Sequence, residues 1–527
     1  MLDPAGHGLV PSAARPAIPG GGPQSVADVL APGLALDPAR EALVGRHGRF
    51  SYAALDAEAN RAAGALRALG VGPGDRVAAC LPNDVDIVVA FLGAMRLGAL
   101  WVGVNRPLAP PEKAWLLDDA GASLLLAAPD VADGLRTGCR IEVVDPEAPD
   151  TGWLGRVASA PPDPPGVAID PFAPAAIAYT SGTTGRPKGA VHSQHNVLLP
   201  GAVSAATGLH PPGLPQGVVL PLTILNLIVL GPLAAFQACT TCVAMDRIDA
   251  LGVAAWVRDE RIHTFHGVPT LFHDLLTHPQ VTAADLAPLR APMVGGAECP
   301  EEFRALYRER FGGEVAIGYG MTEAPTAVTT AEGEPSPEPG LCGVALPQVE
   351  IHILDAEGRE LPPGEEGEIC VAPASSGDWA GVYTPMLGYW NRPDATAAAL
   401  LGGVYHSGDV GVKHADGRVF IRGRRNELIL RGGANVYPAE VERVLQELPA
   451  VAEAAVFGVP DRRLGERVVA AVVLAPGAET TPDALRAACS AELARYKVPE
   501  RIAVVDTLPR NAMAKVVKRE LLPLFEG

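Results

Sequence analysis

In the first part of the chain, segments with apolar residues at helical spacing alternate with short apolar runs that are typical of strands. The alanine-rich stretch 56–69 carries an apolar stripe at helical spacing and 85–97 repeats it, so both predict helices. Residues 76–81 form a short apolar run typical of a buried strand. Helices and strands that alternate over short connections indicate α/β layers with largely parallel sheets.

A second stretch of the same kind follows residue 189. Strands are predicted near 217–222 and 290–294, and helices are predicted near 247–258 and 270–277. The large N-terminal part of the chain is therefore expected to contain layered α/β sheets.

One segment, 218–236, carries no charge and is long enough to cross a bilayer. Pro221, Asn226, Gly231 and Pro232 interrupt it, and no basic flank anchors it. We therefore predict a buried strand followed by a core helix.

The pattern changes after about residue 340. Runs at 349–354, 366–371 and 418–421 predict strands, and the turns Glu357-Gly358 and Asp416-Gly417 indicate hairpins. This segment is expected to form a β-barrel-like part of the large domain.

The last hundred or so residues predict a compact α+β unit. Pro438 begins a helix with one apolar face, strands follow at 454–457 and 468–474, and a second helix covers 482–492. The predicted organisation is a disordered lead-in at 1–25, an N-terminal domain at 26–423, a hinge at 424–426 and a small mobile domain at 427–527.

Charge and cysteine content restrict the possible partners. The net charge of −18 over 527 residues argues against binding nucleic acid or an anionic membrane through bulk electrostatics. The eight cysteines are scattered, and only Cys239 and Cys242 have a metal-like spacing, within a run that we interpret as a buried strand. Reduced cysteines predict a cytoplasmic protein.

The most informative loop is 179–189, which reads Tyr-Thr-Ser-Gly-Thr-Thr-Gly-Arg-Pro-Lys-Gly. An apolar strand precedes it, and it combines four Ser or Thr hydroxyls, three glycines and a lysine. Glycines let the backbone approach a ligand and expose N–H groups to phosphate oxygens. The order differs from a Walker A loop, so the loop predicts another kind of phosphate site.

Four further motifs follow in order, at 318–323, 405–409, 423–427 and 509–515. The first places Tyr319 between glycines and adds Glu323, so an aromatic ring could stack on a base and a carboxylate could bind Mg2+. The second offers Asp409 in a tight turn as an acceptor for ribose hydroxyls, and the last places Lys515 near the C-terminus. Each motif alone has an ordinary structural explanation.

Together and in this order, the motifs resemble the adenylate-forming superfamily of acyl-CoA synthetases, stand-alone adenylation domains and luciferases. The resemblance covers roughly residues 30–525. The segments 386–393, 432–442 and 457–466 are similar to the acyl-CoA synthetase branch.

The resemblance implies how ATP would be bound. Tyr319 would stack on the adenine, Asp409 would accept the ribose hydroxyls beside Arg424, Thr322 would contact the α-phosphate, and Glu323 would bind Mg2+. The other residues implied in ATP or AMP binding are Thr180, Ser181, Gly182, Thr183, Thr184, Lys188, Gly296, Ala297, Gly318, Gly320 and Met321.

The resemblance also implies the catalytic and acceptor sites. Lys515, with Thr184 and Glu323, would be catalytic, and Asn426 would be the hinge about which the small domain turns between the two half-reactions. The residues implied in CoA binding are Arg431, Gly432 and Gly433, and those implied in the acid pocket are Asn226, His266, Gly267, Val268, Gly295 and Thr326.

Four residues at three places in the chain depart from the family's usual pattern. Thr223 and Ile224 stand where the family commonly has an aromatic residue and a histidine, between the acyl pocket and the thiol tunnel. Asn426 replaces a lysine or aspartate at the pivot, and Ala514 replaces the glycine before the catalytic lysine.

The leading hypothesis is an ATP-dependent acid–CoA ligase that requires Mg2+. The pocket candidates include no lysine or arginine, so a hydrophobic monocarboxylic acid is favoured over a dicarboxylate. The alternatives are an adenylating enzyme that loads a carrier protein or performs one half-reaction, and a catalytically weak binding protein. A monomer or homodimer without a membrane span is expected.

Overall fold

The chain forms two compact units. The computed structural model describes residues 3–11, 15–180, 186–208, 211–295, 301–331, 340–424, 428–509 and 516–525. The first unit comprises Met1–Arg106, Leu117–Ala178 and Gly189–Gly423, and the second comprises Pro107–Leu116, Tyr179–Lys188 and Arg424–Gly527. Two short segments that precede residue 200 thus group with the C-terminal part of the chain.

The strands of the described residues are numbered in chain order. They are β1 Glu41–Gly45, β2 Gly48–Ser51, β3 Arg76–Cys80, β4 Leu100–Gly103, β5 Leu124–Ala127, β6 Arg140–Val143, β7 Pro174–Thr180, β8 Lys188–Ser193, β9 Gln216–Val218, β10 Cys242–Ala244, β11 Thr264–Gly267, β12 Met293–Val294, β13 Ala316–Ile317, β14 Gly320–Met321, β15 Thr326–Ala327, β16 Thr329–Thr330, β17 Leu341–Ala345, β18 Val349–Leu354, β19 Glu366–Pro373, β20 Gly388–Tyr389, β21 Tyr405–Lys413, β22 Val419–Arg424, β23 Ile429–Arg431, β24 Ala434–Val436, β25 Val451–Asp461, β26 Gly465–Leu474 and β27 Arg501–Val504.

The α-helices are numbered in the same way. They are α1 Ala31–Leu36, α2 Tyr52–Ala68, α3 Val85–Leu97, α4 Pro110–Ala120, α5 Pro129–Gly134, α6 Gly152–Ser159, α7 Gln194–Thr207, α8 Leu225–Ile228, α9 Ala234–Gln237, α10 Ala250–Asp259, α11 Pro269–Thr277, α12 Glu301–Phe311, α13 Pro393–Ala399, α14 Pro438–Gln446 and α15 Pro482–Glu492.

One seven-stranded sheet of the first unit has the order β13-β12-β11-β9-β10-β1-β2. Its pairs are parallel except for the antiparallel hairpin β1–β2 at one edge. Apolar side chains such as Phe265, Val257 and Leu275 form a buried cluster between these strands and the helices α10 and α11. The carboxyl ends of β9, β11, β12 and β13 therefore meet at a common edge.

A second seven-stranded sheet has the order β20-β8-β7-β4-β3-β5-β6. The strands β3, β4, β5, β6 and β7 are joined by parallel pairs, and β20 is antiparallel to β8. The helices α2 and α3 pack closely, because a Cβ added at Gly93 would lie 2.7 Å from the Ala62 Cβ. A side chain at Gly93 would separate the two helices.

The remaining large sheet of the first unit has six strands, in the order β16-β17-β22-β21-β19-β18. The predicted hairpins are present: β18 and β19 are antiparallel, and β22 follows β21 after a turn closed by the Gly417 N–H and the His414 carbonyl at 3.0 Å. This sheet corresponds to the predicted β-barrel-like part.

The second unit contains a five-stranded sheet. Its path is β24-β23-β26-β25, and β27 pairs in parallel with β26. Val441 and Leu445 of α14 and Leu485 of α15 share one buried cluster with this sheet. The α/β class of the large unit and the α+β class of the small one are confirmed.

The structure corrects the expected disorder of the lead-in for residues 3–11 and 15–25. Leu9 and Ile18 are buried, and the His7 ring stacks on Trp390 with ring centroids 4.0 Å apart. The Val10 N–H also donates to the Leu387 carbonyl at 2.7 Å. Single apolar residues in a Gly- and Pro-rich stretch are anchored by tertiary contacts that its composition does not reveal.

The apolar run 218–236 begins with the end of β9 and continues into α8, a π-helical turn at Val229–Leu233 and α9. This agrees with the predicted strand and core helix. Among the described residues, no helix combines the length and the apolar character needed to cross a bilayer.

Candidate active site

Four predicted site residues lie at the common edge of the first seven-stranded sheet. His266 and Gly267 end β11, Gly295 directly follows β12, and Gly318 directly follows β13. The Gly295 N–H donates to the Gly267 carbonyl at 3.3 Å, and the Gly318 N–H donates to the Val294 carbonyl at 3.1 Å. Ligands of α/β sheets bind in the crevice outside the carboxyl ends of parallel strands, which is where these residues converge.

The predicted pocket residue Thr326 has an unusual environment. It is 4% exposed and has a left-handed backbone with φ of 65°. Its hydroxyl has no hydrogen-bond partner within the described part of the chain. A buried hydroxyl without a partner costs about 1–3 kcal/mol, which a ligand could recover.

Strands β14 and β15 hold Thr326 close to the Tyr319 segment. A Cβ at Gly320 would lie 1.6 Å from the Thr326 carbonyl oxygen, so only glycine fits there. Met321 pairs with Thr326 in the same hairpin and is half-buried. Val268, also predicted in the pocket, immediately precedes α11.

Tyr319 contacts Asp409, which comes from a different motif. The Tyr319 hydroxyl donates to Asp409 Oδ2 at 2.7 Å, and both residues are buried. Burial, and after it the Asp409 carboxylate, raises the pKa of Tyr319 well above its usual range, so the phenol stays protonated. The structure thereby brings together the predicted adenine-stacking ring and the predicted ribose acceptor.

Glu323 is held by Tyr389, a residue to which the sequence assigned no role. The Tyr389 hydroxyl donates to Glu323 Oε1 at 2.8 Å, and the Met386 N–H donates to the Glu323 carbonyl at 2.8 Å. Tyr389 lies in β20, which pairs with β8 through Tyr389 and Ala190. A fixed carboxylate together with substrate phosphates is the usual ligand set of Mg2+, so these residues fit that ion.

Thr322 lies between two residues of other elements. The Asn226 amide donates to Thr322 Oγ1 at 3.4 Å. The His192 ring of β8 is fully buried, and neither ring nitrogen has a hydrogen bond of normal geometry within the described residues. Burial lowers the pKa of His192 to about 4, and the nearby Thr322 backbone offsets only part of this effect. A buried neutral imidazole beside Thr322 was not predicted.

Residues 179–180 and 186–188 of the phosphate loop belong to the second unit. The Thr180 hydroxyl donates to the Lys188 carbonyl at 3.3 Å. Trp115 packs edge-on against Tyr179 with centroids 6.1 Å apart, and the Arg186 guanidinium lies 5.1 Å from the Trp115 ring centre. Sequence reasoning missed Trp115, because no local pattern links it to the loop.

Several predicted residues lie outside the described residues. They are Ser181, Gly182, Thr183, Thr184, Gly296, Ala297, Asn426 and Lys515. Arg424 is the last residue of β22. The roles of these eight residues and of Arg424 stay predictions.

The predicted CoA residues form a turn between β23 and β24 in the second unit. Gly432 and Gly433 have φ values of 57° and 81°, and the Gly432 N–H donates to the Leu464 carbonyl at 2.7 Å. Arg431 donates to the Tyr496 carbonyl at 2.8 Å and forms an ion pair with Glu500. The guanidinium therefore contributes to the internal structure of this unit.

The segment of Thr223 and Ile224, which departs from the family's usual pattern, lies close to the end of β4. The Thr223 hydroxyl is within 3.3 Å of Asn105 Oδ1, and a Cβ at Gly103 would lie 1.8 Å from the Thr223 carbonyl oxygen. Thr223 is buried, whereas Ile224 is 37% exposed. The segment therefore approaches the end of β4 too closely for any side chain at Gly103.

Known protein families match most of the chain. The family model for the AMP-binding enzyme matches residues 34–390, and the model for the AMP-binding enzyme C-terminal domain matches 440–515. The chain belongs to the AMP-binding enzyme family. Its relatives include several CoA ligases and synthetases, so it lies in the acyl-CoA ligase branch of adenylate-forming enzymes.

Three similar proteins represent this family. A fatty acid–[acyl-carrier-protein] ligase, ScoC, from Streptomyces coeruleorubidus is 36% identical over 93% of this chain and 94% of its own. A feruloyl-CoA synthase from Amycolatopsis is 35% identical over 91% of this chain and 95% of its own. The structure of the amide bond synthetase McbA from Marinactinospora thermotolerans has a TM-score of 0.82 at 29% identity, covering 95% and 99% of the two chains.

Family membership establishes the general chemistry. The chain is an AMP-forming acid ligase of the acyl-CoA ligase branch, whose members activate a carboxylic acid with ATP and Mg2+ and transfer the acyl group to CoA.

Proposed function

We propose that this enzyme activates a hydrophobic monocarboxylic acid and that CoA is its acceptor. In the first step, a carboxylate oxygen attacks the α-phosphorus of ATP and pyrophosphate leaves. In the second step, the CoA thiolate attacks the carbonyl carbon of the acyl adenylate and AMP leaves. Both steps need positioning and charge neutralisation rather than a nucleophile of the protein.

One observation carries the proposal. Tyr319, Thr322 and Glu323 belong to a single short segment, and each contacts a residue from a different part of the first unit. Their partners are Asp409, Asn226 and Tyr389. A segment fixed at three points is suited to holding a nucleotide, a reacting phosphate and a metal ion in one geometry.

Each contact supports one role. Asp409 accepts from Tyr319 through Oδ2, and a carboxylate has further lone pairs for ribose hydroxyls. Thr322 Oγ1 accepts from the Asn226 amide and would contact the α-phosphate. Mg2+, when bound at Glu323, would neutralise charge on the phosphate oxygens. The predicted roles of Lys188, Thr184 and Lys515 complete the proposal.

The pocket candidates support an apolar acid with a small polar feature at most. None of the six has a lysine or arginine side chain, and the neighbouring Leu225, Leu227 and Ile228 of α8 are buried. A second carboxylate would require a cation or several donors when buried. The Thr326 hydroxyl and the His266 ring are the candidate polar contacts.

The Gly432–Gly433 turn supports CoA as the acceptor. Two consecutive glycines with positive φ present backbone without side chains, which suits the passage of a narrow pantetheine arm. The second candidate acceptor is a carrier protein, which carries the same arm. The 36% identity to a ligase that acts on an acyl-carrier protein favours this alternative. Cytoplasmic location and a monomeric or homodimeric state remain part of the proposal.

A pyrophosphate-release screen over aliphatic, alicyclic, aryl and dicarboxylic acids tests the proposal. Each acid is supplied with ATP and Mg2+, alone, with CoA or with a phosphopantetheinylated carrier protein, and mass spectrometry identifies the acyl product. We expect release with apolar monocarboxylates and acyl-CoA as the product. Acylated carrier without acyl-CoA would favour the second candidate, a preference for dicarboxylates would refute the pocket assignment, and no release with any acid would refute both candidates.

A further inference from the structure

Three side chains with metal-ligating atoms meet on one face of the six-stranded sheet. Cys370 of β19 lies directly opposite His406 of β21, and Glu368 precedes Cys370 by two positions on β19. Cys370 Sγ is 3.4 Å from His406 Nδ1, which is 3.1 Å from Glu368 Oε2. The three ligand atoms all lie within 4.8 Å of one another.

The pairing of β19 with β21 is irregular where these groups meet. The register of β19 against β21 shifts between Glu368 and Cys370, while Ile369 between them is fully buried on the core side. Bulges increase the local twist of a strand and re-aim its side chains. Glu368 pairs with Val410 and Cys370 with His406, so the extra residues lie on β21, and the Glu368 carboxylate contacts the His406 ring across this irregular stretch.

Two of the three ligand separations are close to those of a tetrahedral zinc site, and the third, between the Cys370 sulfur and the Glu368 carboxylate, is within 4.8 Å. With Zn–S of about 2.3 Å, Zn–N of about 2.05 Å and Zn–O of about 2.1 Å, tetrahedral angles place sulfur and nitrogen about 3.6 Å apart and nitrogen and oxygen about 3.4 Å apart. The observed separations are 3.4 Å and 3.1 Å. Small side-chain shifts would admit the ion between the three atoms.

The surroundings support the ligands. The Gly408 N–H donates to Glu368 Oε1 at 3.0 Å, which orients the carboxylate and leaves Oε2 towards His406. Cys370 is fully buried, whereas Glu368 and His406 keep side-chain exposures of 13% and 18%, so the site has a path to solvent. Outer hydrogen bonds of this kind fix ligand orientation in metal sites.

We propose that Glu368, Cys370 and His406 bind a divalent cation of the zinc class through Oε2, Sγ and Nδ1. On binding, the Cys370 thiol releases its proton to solvent, and the imidazole carries its proton on Nε2 while Nδ1 ligates. A water molecule completes the tetrahedron. Thiolate and imidazole ligands favour Zn2+ or Co2+ over Mg2+, so the site is chemically distinct from the one proposed at Glu323.

Cobalt binding tests the proposal directly. The full-length enzyme is treated with a chelator, kept reduced with a phosphine and titrated with Co2+ in the absence of ATP. We expect one Co2+ per chain with a thiolate-to-cobalt charge-transfer band and the visible absorption of a tetrahedral site. Cys370→Ala should abolish the band, and Glu368→Gln and His406→Gln should weaken Co2+ binding at least about tenfold.

Cys242→Ala is the matched control, because Cys242 is also a fully buried cysteine outside any disulfide. It should retain the wild-type spectrum. Zn2+ should raise the apparent melting temperature of the wild type and of Cys242→Ala but not of His406→Gln, which provides a second readout if Cys370→Ala folds poorly. Absence of a thiolate band in the wild type, or an equal band in Cys370→Ala, would show that the three residues form only an internal hydrogen-bonded cluster.

Discussion

The Tyr319 hydroxyl and Asp409 Oδ2 are 2.7 Å apart, although the two residues are separated by 90 positions in the chain. Tyr319 follows β13 of a largely parallel sheet, and Asp409 lies within β21 of the antiparallel sheet. The hydrogen bond therefore ties two layers of the first unit together at the proposed nucleoside site. It sets the distance between the ring that would stack on adenine and the carboxylate that would accept the ribose hydroxyls.

Tyr319→Phe should weaken ATP binding while retaining the aromatic ring. Loss of a hydrogen bond to a buried carboxylate costs about 1.5–3 kcal/mol, so we expect kcat/KM for ATP to fall about tenfold or more. Pyrophosphate-release kinetics at varied ATP measure the effect. Tyr383→Phe is the control, because the Tyr383 hydroxyl is buried without a partner among the described residues and its removal should leave the kinetics unchanged. Equal effects of the two variants would contradict a specific role for the Tyr319–Asp409 pair.

Tyr389→Phe should alter the Mg2+ dependence through Glu323. The phenol fixes one carboxylate oxygen at 2.8 Å, and without it the carboxylate is less well oriented for the ion. We expect the half-saturating Mg2+ concentration for adenylation to rise about tenfold. A titration with Mg2+ at saturating ATP and acid measures it. An unchanged Mg2+ titration would contradict the role of Tyr389 in orienting Glu323 for the ion.

Helices whose ends carry local sequence signals could be predicted with the correct first and last residues. The predicted helix 85–97 coincides with α3, where the Asp84 side chain accepts the Val85 N–H and Gly98 ends the helix with φ of 68°. The predicted helix 482–492 coincides with α15, which begins after the Thr481 cap. Helix caps and apolar periodicity depend on residues that are close together in the chain, so both can be recognised in a single sequence.

Contacts between distant segments could not be predicted in this way. No local pattern connects Tyr389 with Glu323 or His192 with Thr322, because each pair joins a strand of the second seven-stranded sheet to the turn that follows β14. The lead-in was expected to be disordered for the same reason, since its contacts with Leu387 and Trp390 join it to elements far along the chain. The resemblance predicted the chemical types of the site residues but not the neighbours that orient them.

His192→Leu should reduce the loss of stability at mildly acidic pH. Its folded pKa of about 4 lies below the ordinary value of 6.5, so the unfolded chain binds more protons between these values and stability falls as pH falls. From pH 7 to pH 5 the imidazole accounts for about 2 kcal/mol of destabilisation. Apparent melting temperatures at both pH values should drop less in the variant than in the wild type. His273→Asn, at a half-exposed position, is the control for replacing a histidine away from the buried site.

Lys497→Met should destabilise the second unit. The Lys497 ammonium is 4% exposed and lies 2.7 Å from both Glu112 and Glu440. Burial raises the pKa of Glu440, and the lysine opposes this effect, so removing it leaves a buried carboxylate without its cation. Removing one partner of a buried ion pair lowers the free energy of unfolding by about 3–5 kcal/mol. Lys518→Met, which removes the more exposed ion pair with Glu442 at 3.2 Å, should cost about 1 kcal/mol or less when both are compared by thermal unfolding.

Lys515→Ala should separate the two half-reactions. By the family resemblance, Lys515 contacts the α-phosphate and the substrate carboxylate only during adenylation, so its charge stabilises the first transition state and not the second. We expect pyrophosphate release to fall about 10²–10³-fold, whereas acyl-CoA formation from a supplied acyl adenylate should remain close to the wild-type rate. Lys518→Ala, three residues further along, controls for loss of positive charge near the C-terminus. Equal loss of both steps in Lys515→Ala would refute the assignment, because a residue used in only one orientation of the small domain cannot limit both.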